Sequence, residues 1–193
     1  MFNHDSTIEL FKNSSTSLAS IRRQAMIDLE DYVNRIKIEK LKTLVGDDVV
    51  HDFVNVQNLV APQLDVPNKK VSKEEISQGG SRYFTRFKFS IPFVGNQELF
   101  YCAAQTYTIS AGTRAIVNQN TVDLIFDYES LENLNIEMAY GTELGRVQQN
   151  LKWLKPDVQE IKNALVARGN SLIHARLDRE NATSEILETL NKL

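Results

Sequence analysis

Arg168 and His174 are the residues of this chain whose types and spacing first suggest chemistry. Five residues separate them in the stretch LVARGNSLIHARLDRE, which is the spacing of a metal-independent ribonuclease pair. In a straight helix of about 100° per residue, however, the two side chains point about 120° apart and cannot converge on one phosphate. The pattern therefore favours a polar helix face, on which Asp178 could hold His174 by an i, i+4 hydrogen bond.

A second candidate lies in KPDVQEIK, where Pro156, Asp157, Glu160 and Lys162 superficially match the PD-(D/E)xK nuclease pattern. Such a site needs its first acid well upstream of the E-x-K pair, so that acids on neighbouring strands share a magnesium ion. Here all four residues fall within one predicted helix. The spacing argues against a nuclease centre, and we predict no catalytic residue and no metal site.

Charged residues also occupy alternate positions of the predicted strands. Asp123 and Asp127, followed by Glu129, could hold a divalent ion, but carboxylates at alternate positions are typical of the solvated face of a sheet. The basic residues Arg82, Arg86, Lys88 and Arg114 could form a band suited to phosphate or to an acidic partner. The competing interpretation of this band is an ordinary charged outer face that keeps the sheet soluble.

Composition limits the classes of protein to which the chain can belong. Its 193 residues are 42% hydrophobic and 24% charged, which predicts one globular domain spanning residues 1–193. The helical and strand regions described below make this predicted domain α+β. The net charge of −3 gives no global attraction to nucleic acid, so any such contact must be a local patch. One cysteine and three distant histidines provide neither a disulfide framework nor a structural zinc site.

The N-terminal segment and the apolar runs of the chain indicate where the protein is located. The start MFNHDSTIEL lacks the basic and apolar regions of a signal peptide, and no apolar run approaches the roughly 20 residues needed to span a bilayer. These observations predict a cytoplasmic protein without membrane contact. No cofactor is expected, because the glycine pair Gly79–Gly80 lacks the strand and helix that flank a phosphate-binding loop.

The elements that must position these residues fall into three regions. Residues 1–60 are predicted to be helical: Ser6 and Glu9 form a capping box for a helix starting near Thr7, an amphipathic helix spans about 17–44, and VVHDFVNVQNLV favours another helix. Residues 61–81, with two prolines and a glycine pair, are predicted to be a connector holding one helical turn after Ser72.

Residues 82–128 are predicted to form an antiparallel meander of four strands. The strands are expected in RYFTRFKFSIPF, ELFYCAAQTYTIS, RAIVN and TVDLIFDY, which are joined by short turns. Helices before and after this sheet are the available cover for its apolar face.

Residues from about Leu131 to Leu193 are predicted to be helical, and from Leu144 to Leu172 aliphatic residues recur at nearly heptad spacing, interrupted by Pro156. A helix this long seldom buries its whole apolar stripe within one small domain. We therefore predict a homo-oligomer formed through the helices, with Leu165 and Leu172 in the contact.

Several segments together resemble a known group of proteins. FSIPFVGNQELF, a strand ending near QTYTI, TVDLIFDY, LKWLKPDVQEIKNAL and SEILETLNKL resemble the N-terminal module of uncharacterised bacterial defence-type proteins whose longer members carry a C-terminal PD-(D/E)xK restriction-endonuclease-like domain. The resemblance covers about residues 82–193. The chain departs from it at Ala103 and Ala104, where a proline-containing segment is expected, and residues 1–193 are not expected to include a nuclease domain.

The resemblance implies a non-catalytic regulatory, sensing or assembly domain that serves a nuclease domain or another protein partner. Two alternatives remain open. One is a module that binds nucleic acid or an anionic ligand through the basic band. The other is a metal-independent ribonuclease of the HEPN type, using Arg168 and His174.

Overall fold

The computed structural model describes residues 7–12, 16–43, 46–77, 83–105 and 112–193, and the fold is α+β. The strands are β1 (Ile8–Glu9), β2 (Gln63–Leu64), β3 (Lys70–Ser77), β4 (Tyr83–Val94), β5 (Arg114–Val117) and β6 (Thr121–Tyr128). The helices are α1 (Leu18–Arg35), α2 (Ile38–Thr43), α3 (Gly46–Val56) and α4 (Ile136–Leu190), with 3₁₀ turns at Val66–Asn68 and Gln97–Tyr101.

The chain divides into two compact units. The sheet unit contains residues 1–18 and 60–157, and the helical unit contains residues 19–59 and 158–193. Helix α4 contributes its residues up to Asp157 to the first unit and its residues from Val158 onward to the second. It continues through Pro156 without a break.

All strand pairs in the described residues are antiparallel, in the order β1-β5-β6-β4-β2. Strand β3 also pairs with β4, along residues 83–90, whereas β2 pairs with residues 93 and 94 of β4. Antiparallel sheet was predicted, but the four-strand meander was wrong. Six strands are present in the described residues, and β4 pairs with β6 rather than with its successor in the chain. The strands Tyr83–Val94, Arg114–Val117 and Thr121–Tyr128 match three of the predicted segments.

The strand predicted over residues 98–110 is wrong for its described part, residues 98–105. Its first part lies in the 3₁₀ turn Gln97–Tyr101. The Asn96 side chain caps this turn by accepting a hydrogen bond from the Glu98 amide at 2.9 Å. Leu99 and Phe100 are both fully buried in this turn. A run of apolar residues that is buried on every side has the same sequence pattern as a central strand. Residues 106–110 lie outside the described residues.

The predicted connector, residues 61–81, contains two strands, and the helical turn expected after Ser72 is wrong. Strand β3 pairs with β4 along its whole length, from Lys70 opposite Ser90 to Ser77 opposite Tyr83. Every residue of β3 is exposed apart from Ile76, which is half-buried. An edge strand with both faces in water does not show the apolar alternation from which a strand is predicted.

Two corrections concern the N-terminal helices. The helix expected near Thr7 is instead the short strand β1, in which Ile8 and Glu9 pair with Ala115 and Arg114; the proposed capping residue Ser6 lies outside the described residues. The single helix expected over 17–44 is two helices, interrupted at Ile36 and Lys37. The helix expected in VVHDFVNVQNLV is confirmed as α3, whereas the C-terminal helix begins at Ile136 rather than near Leu131.

Aromatic contacts fix the core of the sheet unit. Phe89 on β4 stacks on Tyr140 of α4 with ring centroids 4.3 Å apart, and Phe93 meets Phe100 edge-on at 4.9 Å. Val147, Leu151 and Leu154 of α4 are buried as well. The first third of α4 therefore covers the apolar face of the sheet, and the opposite face carries the charged residues.

Candidate functional site

The charged face of the sheet is organised around a two-point ion pair between β4 and β6. Arg86 and Asp127 are directly opposite each other in the strand register. The guanidinium donates from Nε to Oδ1 at 2.7 Å and from Nη2 to Oδ2 at 3.0 Å. Both side chains are largely buried, with 15% and 18% of their areas exposed. This parallel geometry is the strong form of an arginine–carboxylate contact.

The other predicted members of the basic band also face carboxylates. Arg114 places Nη1 3.9 Å from Asp127 and donates to Thr7, and Lys88 lies 4.0 Å from Asp123. Glu74 of β3 approaches Arg86 at 3.9 Å. Arg82 lies outside the described residues. Each of the three described cations of the band, Arg86, Lys88 and Arg114, therefore lies within 4.0 Å of a carboxylate, which reduces the positive charge it could offer to a phosphate.

Asp123 is the least exposed of the three carboxylates on this face. Its side chain is 8% exposed, and Oδ2 accepts a hydrogen bond from the Asn118 side chain at 3.1 Å. Oδ1 is buried without a hydrogen-bond partner in the described part of the chain. The suggested divalent site is not assembled: Asp127 is occupied by Arg86, Glu129 is exposed, and the described residues contain no group of three potential ligands placed to hold a metal.

A cavity of about 250 Å³ lies at one margin of the sheet unit, lined by Gly112, Arg114, Ile125, Phe126 and Glu143. Its polar groups are already engaged. Glu143 accepts a hydrogen bond from the Thr113 hydroxyl at 2.6 Å and pairs with Arg146 at 2.5 Å. A ligand entering here would compete with contacts that the fold already makes.

The nuclease-like residues of KPDVQEIK have separate tasks. Asp157 is buried, and its Oδ2 accepts a hydrogen bond from the backbone amide of Gln105 at 2.8 Å. Glu160 approaches Arg22 at 4.0 Å on the surface of the helical unit. Asp157 is therefore an anchor for the segment that follows the 3₁₀ turn. Its local sequence gave no signal of this contact, because the two residues are 52 positions apart.

Arg168 and His174, the ribonuclease-like pair, both lie on the continuous helix α4. Arg168 is bound to Glu30 of α1, with Nη2 2.5 Å from Oε1, while His174 is exposed. Arg176 contributes a contact that the sequence did not indicate: its guanidinium donates to the carbonyls of Val33 and Ile36, where α1 ends. Carbonyls at a helix C-terminus lack intrahelical partners, so Arg176 serves as a C-terminal cap.

The residues predicted for an oligomer contact occupy different environments. Leu165 is fully buried by its own chain, and Leu172 is half-buried. Further along α4 the apolar residues emerge: Ile186, Leu187 and Leu190 are 60%, 55% and 56% exposed. These three residues are called the α4 patch below.

Neither a family model, nor a curated protein, nor a solved structure matches this chain. Among the helices that the structure describes, none combines the length and apolar content needed to cross a membrane.

Proposed function

We propose that the chain is a non-catalytic assembly domain that associates with a second copy of itself through the α4 patch. The observation that carries this proposal is the exposure by more than half of three large aliphatic side chains within five residues of one helix. An apolar group of this kind on a polar surface is typical of a protein contact.

The length of uncovered helix supports the same proposal. Residues 181–183 and 185–190 of α4 are all exposed, and Ser184 is half-buried. An isolated helical segment of this length is marginal in water, because most helical stability in proteins comes from packing an apolar face. A second copy presents the same patch, so one two-fold contact covers both.

The assembly contact lies further along α4 than Leu165 and Leu172. Because Leu165 is fully buried, its substitution by a charged residue would disrupt the helical unit rather than report on association. The α4 patch can be changed without opening the core. In the nuclease context implied by the sequence resemblance, such a domain would bring effector copies together.

The charges of the sheet face and of Arg168 support no second function. The described cations of the basic band, Arg86, Lys88 and Arg114, each lie within 4.0 Å of a carboxylate, and Arg168 is bound to Glu30. We therefore do not extend the proposal to RNA cleavage or to nucleic-acid binding.

Sedimentation equilibrium of the full chain tests the proposal. The wild type should have a mass above that of the monomer, and Leu187→Gln combined with Leu190→Gln should reduce it, since glutamine keeps the helix propensity of leucine but removes the apolar surface. Glu188→Gln, an exposed change in the same turn, is the matched control and should leave the mass unchanged. A monomeric wild type, or equal masses for wild type and double variant, would contradict the proposal.

A further inference from the structure

Strand β3 presents a long open edge. It has eight residues, and among the described residues it pairs with β4 alone. Seven of the eight are exposed, including Val71 at 56%. The backbone groups on the outer side of such a strand form a template for a further antiparallel strand.

Edges of this kind are usually protected by charged side chains, especially lysines, or by proline or a bulge. Strand β3 has charged side chains of both signs in equal number. Lys70 and Lys73 precede Glu74 and Glu75 in the sequence KVSKEEIS, so the strand carries no net charge. The order of these charges makes the edge complementary to its own antiparallel copy.

A two-fold axis perpendicular to the sheet places residues of the same face opposite each other, because neighbouring side chains along a strand alternate between faces. When Glu74 lies on the axis, each Lys73 faces Glu75 of the other copy, and seven residue pairs form. Opposite charges directly across two strands are stabilising. The Glu74 carboxylates meet at the axis, and the Arg86 guanidinium of each copy, which also binds Asp127, lies 3.9 Å from that carboxylate and reduces the repulsion.

Other symmetric registers are less favourable. Centring the pair on Lys73 brings the two Lys73 side chains together and sets Val71 against Glu75. Centring it on Ser72 avoids like charges but pairs only residues 70–74 of β3. From these comparisons we infer that β3 is a second self-association surface, which joins two copies edge to edge with Glu74 at the two-fold axis.

This contact is independent of the α4 patch. A chain with two different two-fold contacts assembles beyond a dimer, because each copy retains one surface for a further copy. The β3 edge therefore extends the proposed assembly function from a pair to a linear array.

Crosslinking with a short bis-maleimide tests the register. The native Cys102 is buried, so an introduced cysteine is the reactive position. Glu74→Cys should crosslink to a dimer at least about tenfold more than Lys70→Cys, because residues directly opposite have Cβ atoms about 5 Å apart, whereas the two Lys70 positions lie about 27 Å apart along the strands. Both positions are exposed on the same strand and face.

Exchanging the charges of Lys73 and Glu75 tests whether these two residues pair between copies. Lys73→Glu should reduce crosslinking of Glu74→Cys about tenfold, and adding Glu75→Lys should restore it, because the opposite pairs are then rebuilt in reverse. These experiments are carried out with Leu187→Gln and Leu190→Gln present, so that loss of the α4 contact cannot affect the outcome. Equal crosslinking at residues 74 and 70, preferential crosslinking of Ser72→Cys, or no recovery on exchange would overturn the inference.

Discussion

Gly169 of α4 lies directly against Val50 of α3. A Cβ atom added to Gly169 would fall 2.7 Å from both Cγ1 and Cγ2 of Val50, a separation that carbon atoms cannot adopt. Val50 is fully buried and β-branched, so its methyl groups have little freedom to move aside. The missing side chain at residue 169 is therefore what allows α3 and α4 to approach within the helical unit.

Gly169→Ala should lower the free energy of unfolding by about 1–2 kcal/mol, because the cost of overpacking a core exceeds the gain in helix propensity. Gly145→Ala is the matched control on the same helix. Its added Cβ would meet nothing within 4 Å, so this variant should be stabilised by about 1 kcal/mol. Urea unfolding followed by circular dichroism measures both, and equal effects at the two glycines would contradict the packing described.

The Arg86–Asp127 pair should stabilise the sheet unit more than any exposed ion pair of the same face. Asp127→Ala is expected to cost about 2–3 kcal/mol, because it leaves a mostly buried guanidinium without its two-point partner. Arg114→Ala, which removes a 3.9 Å contact from a side chain that is 55% exposed, should cost less than about 1 kcal/mol. Chemical denaturation of both variants provides the comparison, and similar losses would show that the geometry confers no advantage.

The alternation of Phe87, Phe89 and Ile91 with Arg86 and Lys88 was sufficient to predict both β4 and its charged face. The partners of those charges were not predictable in the same way. Asp127 faces Arg86 only because β4 and β6 are paired in one particular register, across 41 residues of chain. A single sequence gives the face on which a side chain lies, but the register depends on the assembled sheet.

The errors in the fold prediction also have physical causes. Leu99 and Phe100 are buried within a 3₁₀ turn, and complete burial removes the alternation that distinguishes a turn from a strand. Strand β3 has the opposite problem: both its faces are exposed, and its two apolar residues, Val71 and Ile76, do not produce an alternating pattern. The most buried and the most exposed segments are therefore those for which periodicity gives least information.

Tyr140→Phe should stabilise the protein. The Tyr140 hydroxyl is buried without a hydrogen-bond partner in the described residues, and burial raises the pKa of its phenol. An unsatisfied buried hydroxyl carries a desolvation cost of about 1 kcal/mol or more, whereas the stacked contact with Phe89 does not need it. Thermal unfolding should show a higher midpoint for Tyr140→Phe and a lower one for Tyr140→Leu, which also removes the stacking. A lower midpoint for Tyr140→Phe would indicate that the hydroxyl is bonded.

Cys102 should make the protein less stable at alkaline pH. Burial, together with the nearby Glu98 carboxylate, raises the pKa of its thiol from 9.0 to about 12. Between these values the unfolded chain loses the thiol proton while the folded chain keeps it, so the free energy of unfolding falls as the pH rises. Cys102→Ala has no thiol to titrate. Between pH 8 and pH 10, the free energy of unfolding of the wild type should therefore fall relative to that of Cys102→Ala.

The same protonation state predicts the reactivity of Cys102. Because the thiolate is the nucleophile, the buried thiol should react with a disulfide reagent such as DTNB at pH 8 only when the protein unfolds. The exposed cysteine of Lys70→Cys is the control, and it should react at the rate of a free thiol. The Cys102 amide donates a hydrogen bond to the Leu99 carbonyl, which ties Cys102 to the 3₁₀ turn Gln97–Tyr101. Rapid labelling of the native wild-type protein would therefore show that this turn opens readily.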